Sequence, residues 1–140
     1  MRTLEKAIVI ATKAHADQVD KGGNPYILHP LRVMLKMSTE EEMIAAVLHD
    51  VIEDTKVNAD DLKRAGFTES VIDAVIALTR QDGETYMDFI KRAKQNPIAR
   101  TVKIRDIEDN CDLTRISNPS DQDHSRMKRY KKAIQELMSS

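Results

Sequence analysis

With a single cysteine in 140 residues, the chain can form no intramolecular disulfide and no multi-cysteine zinc site. Glycine and proline are scarce, at four each, and so little punctuation favours long helices with short loops over a series of β-hairpins. No stretch approaches the ~18 uninterrupted apolar residues of a membrane-spanning helix. The N-terminal Met1-Arg-Thr-Leu-Glu-Lys6 runs straight into an amphipathic pattern without the apolar stretch of a signal peptide. A cytoplasmic protein without membrane association is therefore expected. Neither sign of charge dominates: Lys and Arg total 22, Asp and Glu 23, for a formal net charge of -1. Bulk charge thus gives no support to nonspecific nucleic-acid binding.

The chain is 41% hydrophobic and 32% charged, which is the profile of a folded chain rather than a disordered one. Its length fits one domain over 1–140. A chain of this size buries roughly two-thirds of its extended surface on folding, enough for a core without cross-links.

Apolar spacing predicts an all-α fold, an irregular bundle of about seven or eight helices. Leu4, Ala7, Ile8, Ala11 and Ala14 mark a helix from Leu4 to about Ala16. The polar run with Gly22, Gly23 and Pro25 then reads as a loop, and His29-Pro30 opens the next helix. Thr39 and Glu42 form a candidate capping box for a helix from Glu40 to about Glu53, apolar nearly all round and so expected at the centre. Shorter helices follow over Asp60 to Ala65, after Thr68, and from Tyr86 to Ala93. Another starts at Asn96-Pro97, and the last spans about Asp121 to Met138.

The most informative residues are His49-Asp50-Val51-Ile52-Glu53-Asp54, at the end of the most apolar helix. An imidazole and three carboxylates there share overlapping faces if the helix continues. Burying such a cluster without a partner is costly because desolvated carboxylates repel one another, and a divalent cation resolves the repulsion. A solvated, charged helix end is the plainer alternative. Two further groups stand in apolar settings: His29 before Pro30, and Asp106 among Val102, Ile104 and Ile107. Each also has an ordinary explanation, a helix cap for His29 and a charged helix flank for Asp106.

Three stretches taken together resemble the HD-domain metal phosphohydrolases. They are Ala14-His-Ala-Asp-Gln18 through Gly23-Asn-Pro-Tyr-Ile-Leu-His-Pro30, Ala46-Val-Leu-His-Asp-Val-Ile-Glu-Asp-Thr55, and Val102-Lys-Ile-Arg-Asp-Ile-Glu-Asp-Asn110. Within that family the pattern is most similar to the hydrolase domain of RelA/SpoT-type alarmone enzymes, especially the small single-domain members. The resemblance implies His29, His49, Asp50 and Asp106 as ligands of one divalent metal, commonly manganese; mixed nitrogen and oxygen ligation suits that ion, with zinc competing on affinity. It implies Glu53 and Asp54 as the residues that position or deprotonate the attacking water, and Asn110 as a substrate contact. Lys103 balances the carboxylates, faces phosphate, or makes a purely structural ion pair.

The implied reaction removes the 3′-pyrophosphate from a guanosine or adenosine polyphosphate, leaving the nucleoside 5′-diphosphate. Alternatives are an HD-type phosphatase or nucleotidase of a simpler nucleotide, and a non-catalytic nucleotide-binding regulatory module. No synthetase activity is expected, since the chain has no room for that second domain. Two departures bear on the base and phosphates: Asp20 and Asp112 stand where the family usually has arginine. Lys21, Arg105 and Arg115 are candidates to compensate. His15 reads as a bracing or packing residue, Cys111 as a small core filler. The basic stretch Arg126, Lys128, Arg129, Lys131 and Lys132 reads as a solvated helix face, with an anion-binding role as the alternative.

Overall fold

The computed structural model describes residues 3–111 and 120–139. Among them are nine helical segments: α1 (Thr3–Ala14), α2 (Leu28–Leu35), α3 (Glu40–Leu48), α4 (Val51–Asp54), α5 (Ala59–Arg64), α6 (Glu69–Ala77), α7 (Tyr86–Lys94), α8 (Pro97–Asn110) and α9 (Asp121–Met138). The described residues form no strand, only an isolated bridge between Val19 and Pro25.

Local chemistry sets where the helices begin. Thr39 and Glu42 make the expected reciprocal capping box, and Asn58 with Asp61 and Ser120 with Asp123 make two more. Thr68, Thr85 and Asn96 accept from the third backbone N–H of α6, α7 and α8. At the end of α5, Gly66 adopts φ +92°. This left-handed residue lets Gly66 N–H reach Lys63 O and Phe67 N–H reach Leu62 O, a Schellman closure that buries Leu62 and Phe67 together.

Helix α3 is the hub, packed against α1, α2, α6 and α8. Ala45, Ala46, Val47 and Leu48 are fully buried there, each large side chain contributing about 1.5–3 kcal/mol through burial. A smaller cluster, Ile90, Ile107, Ala133 and Leu137, joins α7 and α8 to α9.

The helix expected to run from Glu40 to Glu53 instead ends at Leu48 and restarts at Val51. The cause is His49: both its backbone N–H and its ring Nδ1 bond Ala46 O, the carbonyl that a continuing helix would offer to Asp50 N–H. The break accounts for the ninth segment. His49 and Asp50 occupy the break between the two helices.

Candidate metal centre and substrate pocket

Three elements bring the site together. His29 lies in the first turn of α2, His49 and Asp50 occupy the α3–α4 break, and Asp106 projects from the middle of α8. His29 Nε2 lies 2.8 Å and His49 Nε2 3.2 Å from the same Asp106 Oδ1. Asp50 Oδ2 is 3.0 Å from His49 Nε2 and 3.9 Å from His29 Nε2. The donor atoms of His29, His49 and Asp106 all fall within 4.8 Å of one another. Residues separated by nearly eighty positions in the sequence thus converge, three of them buried.

The outward ring nitrogens are already engaged. His49 Nδ1 donates to Ala46 O at 2.5 Å, and His29 Nδ1 lies 2.6 Å from Asp109 Oδ2. Both Nε2 atoms therefore face the carboxylates, where either a proton or a cation must lie between nitrogen and oxygen. Two imidazole nitrogens and two carboxylates form a donor set that fits a divalent first-row metal, with coordination positions left over.

The electrostatics agree with that fit. Burial alone would lower the pKa of His29, but its hydrogen bonds to Asp106 and Asp109 outweigh this and raise it. For His49, burial is likewise overcome by Asp50 and Asp106, and the pKa rises well above its ordinary value. Burial would raise the Asp50 carboxyl, yet His49 holds it down at about 2. Asp106 is also held low against burial, by Lys103 and His49. Tyr26 donates its hydroxyl to Asp50, and Lys103 Nζ (2.8 Å) and Asn110 Nδ2 (3.3 Å) donate to Asp106. The cluster thus keeps its carboxylates ionised and concentrated on one spot.

An open pocket of about 240 Å³ adjoins the cluster. Asp50, Asp106, Glu53 and Asp54 line one part, with Lys103 and Asn110 alongside. Burial, then the charges of Asp50 and Glu53, push the Asp54 carboxyl up to about 6. Glu53 Oε1 accepts from Arg80 N–H at 2.9 Å.

Lys21 is not brought to this pocket; it pairs with Asp123 of α9 at 3.0 Å. Asp20 has a local task, its Oδ1 accepting from Gly22 and Asn24 N–H at 2.9 Å each to fold the loop. Arg105 pairs with Glu108 on the outside of α8. Asp112 and Arg115 lie outside the described residues. His15 braces the loop as expected: its Nδ1 is 2.9 Å from Gln18 Oε1, and its ring lies 4.9 Å from that of Tyr26.

Arg129, read from the sequence as part of a solvated face, is exposed and also lines the pocket, its guanidinium 4.7 Å from the Tyr86 ring centroid. Arg80, Tyr86, Phe89 and Tyr130 line it too, and sequence reasoning missed all four. Tyr86 and Phe89 stand out only as members of a helix and Tyr130 not at all, and no spacing rule shows which side chains border a cavity. Arg32 and Asp109, which flank His29, were also missed, although the i, i+3 pairs His29/Arg32 and Asp106/Asp109 were visible.

A family model described as HD domain matches residues 7–134. The chain belongs to the HD domain family. Among curated relatives, this HD domain is 33% identical over 119 residues to the guanosine-3′,5′-bis(diphosphate) 3′-pyrophosphohydrolase of Aquifex aeolicus, an alignment covering 76% of this chain and 17% of that protein. It is 37% identical over 100 residues to the protein of the same name from Vibrio cholerae, covering 69% of this chain and 14% of that one. Similarity to the Escherichia coli bifunctional (p)ppGpp synthase/hydrolase SpoT is 35% over 100 residues, with the same shares, 69% and 14%. The HD domain chain thus spans about a seventh to a sixth of the length of these relatives. A solved structure reported as "A metazoan ortholog of SpoT hydrolyzes ppGpp and plays a role in starvation responses" superposes with a TM-score of 0.83 at 22% identity. That superposition covers 99% of this chain and 87% of the other, and it establishes the all-α fold.

Proposed function

We propose that this HD domain is a metal-dependent phosphohydrolase that removes the 3′-pyrophosphate from a guanosine or adenosine polyphosphate, releasing pyrophosphate and the nucleoside 5′-diphosphate. The observation that carries the reading is the convergence of His29, His49, Asp50 and Asp106 in one cluster, whose Asp50 and Asp106 line a pocket together with Glu53, Asp54, Lys103 and Asn110. Relatives named as 3′-pyrophosphohydrolases that align over 69–76% of the chain support it. The 140 residues are read as one hydrolase domain. A nucleotide substrate would place the protein in the cytoplasm; no described helix is long and apolar enough to cross a membrane.

His29, His49, Asp50 and Asp106 would hold one divalent cation, manganese by the donor set and the family resemblance. Such a cation supplies a water of lowered pKa and polarises a phosphoryl oxygen. Asp54, with its carboxyl near 6, would take the proton from the attacking water close to neutral pH. Glu53 would orient that water, its own carboxylate steadied by Arg80 N–H. Lys103, kept cationic by Asp106, offsets part of the negative charge that a polyphosphate brings in. Asn110 stands one turn beyond Asp106, its amide beside the same carboxylate and open to the pocket for a substrate hydroxyl.

Hydrolysis of a simpler phosphate ester is a second reading, favoured by one observation. Asp20 is folded into its loop and Lys21 is paired with Asp123, so neither offers the arginine that could stack on a purine. Incubating the purified protein and Mn²⁺ with guanosine and adenosine 3′-pyrophosphate nucleotides decides between them. Pyrophosphate release is expected. No turnover of either, with orthophosphate released from monophosphates, would replace the first reading with the second.

A further inference from the structure

Asp109 is buried, yet neither the proposed chemistry nor the pocket uses it. Its carboxylate meets two partners from α2. Asp109 Oδ2 lies 2.6 Å from His29 Nδ1, and Arg32 closes on the same carboxylate with Nε–Oδ1 at 2.9 Å and Nη2–Oδ2 at 3.0 Å. Two helices face each other here with matched one-turn spacings. Helix α2 presents His29 and Arg32, and α8 presents Asp106 and Asp109. One imidazole is consequently held at both nitrogens by successive acidic residues of a single helix face, with Asp106 Oδ1 at 2.8 Å from Nε2.

We infer that Asp109, locked in place by Arg32, is a positioning residue for His29, fixing the proton on Nδ1 so that Nε2 is presented as the metal donor. The inference rests on the metal-binding reading above and concerns how this chain sets the strength of that site. A carboxylate on the distal nitrogen fixes the imidazole tautomer and ring orientation and raises the basicity of the coordinating nitrogen. Arg32 is needed because a buried carboxylate requires pairing; a bidentate guanidinium fixes its plane as well as its charge. Without Arg32, Asp109 loses the bidentate pair that fixes the plane of its carboxylate beside His29. Without Asp109, His29 can carry its proton on either nitrogen, and the form protonated on Nε2 offers no lone pair at the nitrogen that faces Asp106.

A purely structural clasp between α2 and α8 is the competing account, and it makes a different forecast. Titrating Mn²⁺ calorimetrically into the whole protein and into variants separates them, with circular dichroism melting as the check on folding. Asp109→Asn is expected to weaken Mn²⁺ binding about 10–100-fold, while Arg32→Lys, which keeps a cation beside Asp109 but cannot make the bidentate pair, recovers only part of the affinity lost in Arg32→Met. The double variant Arg32→Met/Asp109→Leu replaces the ion pair by apolar contacts and guards against a fold lost to an unpaired charge. It is expected to melt near the parent and still bind Mn²⁺ about 10–100-fold more weakly. Parent-like affinity in both Asp109→Asn and the double variant would overturn the inference while leaving the metal site standing. Failure of the parent itself to bind Mn²⁺ would overturn the metal reading and this inference together.

Discussion

At the scale of single residues, the account turns on which carboxylates are ionised and which hold a proton. Asp50 and Asp106 are kept anionic against burial by neighbouring cations, whereas Asp54 is pushed up to about 6 by burial and by the negative charges of Asp50 and Glu53. A general base must be deprotonated to work, so hydrolysis should rise with pH along a limb at or below about 6 and then level. A bound cation moves that limb lower, because positive charge favours the carboxylate. Asp54→Asn should reduce kcat about 10²–10⁴-fold and remove the limb, which a pH–rate profile of the two proteins reads directly. An unchanged limb in the variant would assign the base to another group. His29, His49 and Asp106 stood out at this scale as polar groups in apolar surroundings, but only the family resemblance implied that they act with Asp50 as one set. Arg80 and Arg129 did not stand out: an exposed arginine, in the α6–α7 connection or on a polar helix face, looks the same whether it borders a pocket or bulk water.

At the scale of elements, capping chemistry could be read directly from Thr39 and Glu42, and Gly66 from its place after a short helix, because these signals act over three or four residues. The interruption after Leu48 could not be read. It depends on a ring nitrogen of His49 competing for a backbone carbonyl, and apolar periodicity carries no trace of that contact. The α6–α7 connection holds a second such non-local fixture. Arg92 of α7 reaches Thr79 O at 2.7 Å and grips Glu84 in a bidentate pair, with Nε–Oε2 at 2.8 Å. These bonds cover the end of α6 and hold Glu84 at about 2, through Arg92 first and Gln81 N–H second. Arg92→Ala should cost about 2 kcal/mol by chemical denaturation, in the range of hydrogen bonds to charged groups. The sign of the pH effect follows from a depressed carboxyl. The Glu84 contribution is present above its ordinary value of 4.5 and lost as pH falls toward 2. Parent and Arg92→Ala stabilities should therefore converge on acidification; a gap that widened instead would contradict the assignment.

At the scale of the whole molecule, the three helices that present the site are also those that build the centre of the bundle, since α3 packs on both α2 and α8 and α2 packs on α8. The all-α class and most helix positions followed from scarce glycine and proline and from apolar spacing, properties spread along the chain. The pocket did not follow, because its far wall comes from Tyr86 and Phe89 of α7 and Arg129 and Tyr130 of α9, brought near α8 only by folding. A ligand that bridges three packed helices stabilises the fold by mass action. Metal at one hundred times its dissociation constant should add about 2.7 kcal/mol, or roughly 10 °C in melting temperature for a chain of this length. Asp106→Asn should abolish that increment, and an equal shift in the variant would place the metal elsewhere. The most direct test is an anomalous-difference map from crystals grown with Mn²⁺. The account expects one peak within bonding distance of His29 Nε2, His49 Nε2 and a carboxylate oxygen each from Asp50 and Asp106. A map with no peak there, or with the ion bound away from His29 or Asp106, would contradict it.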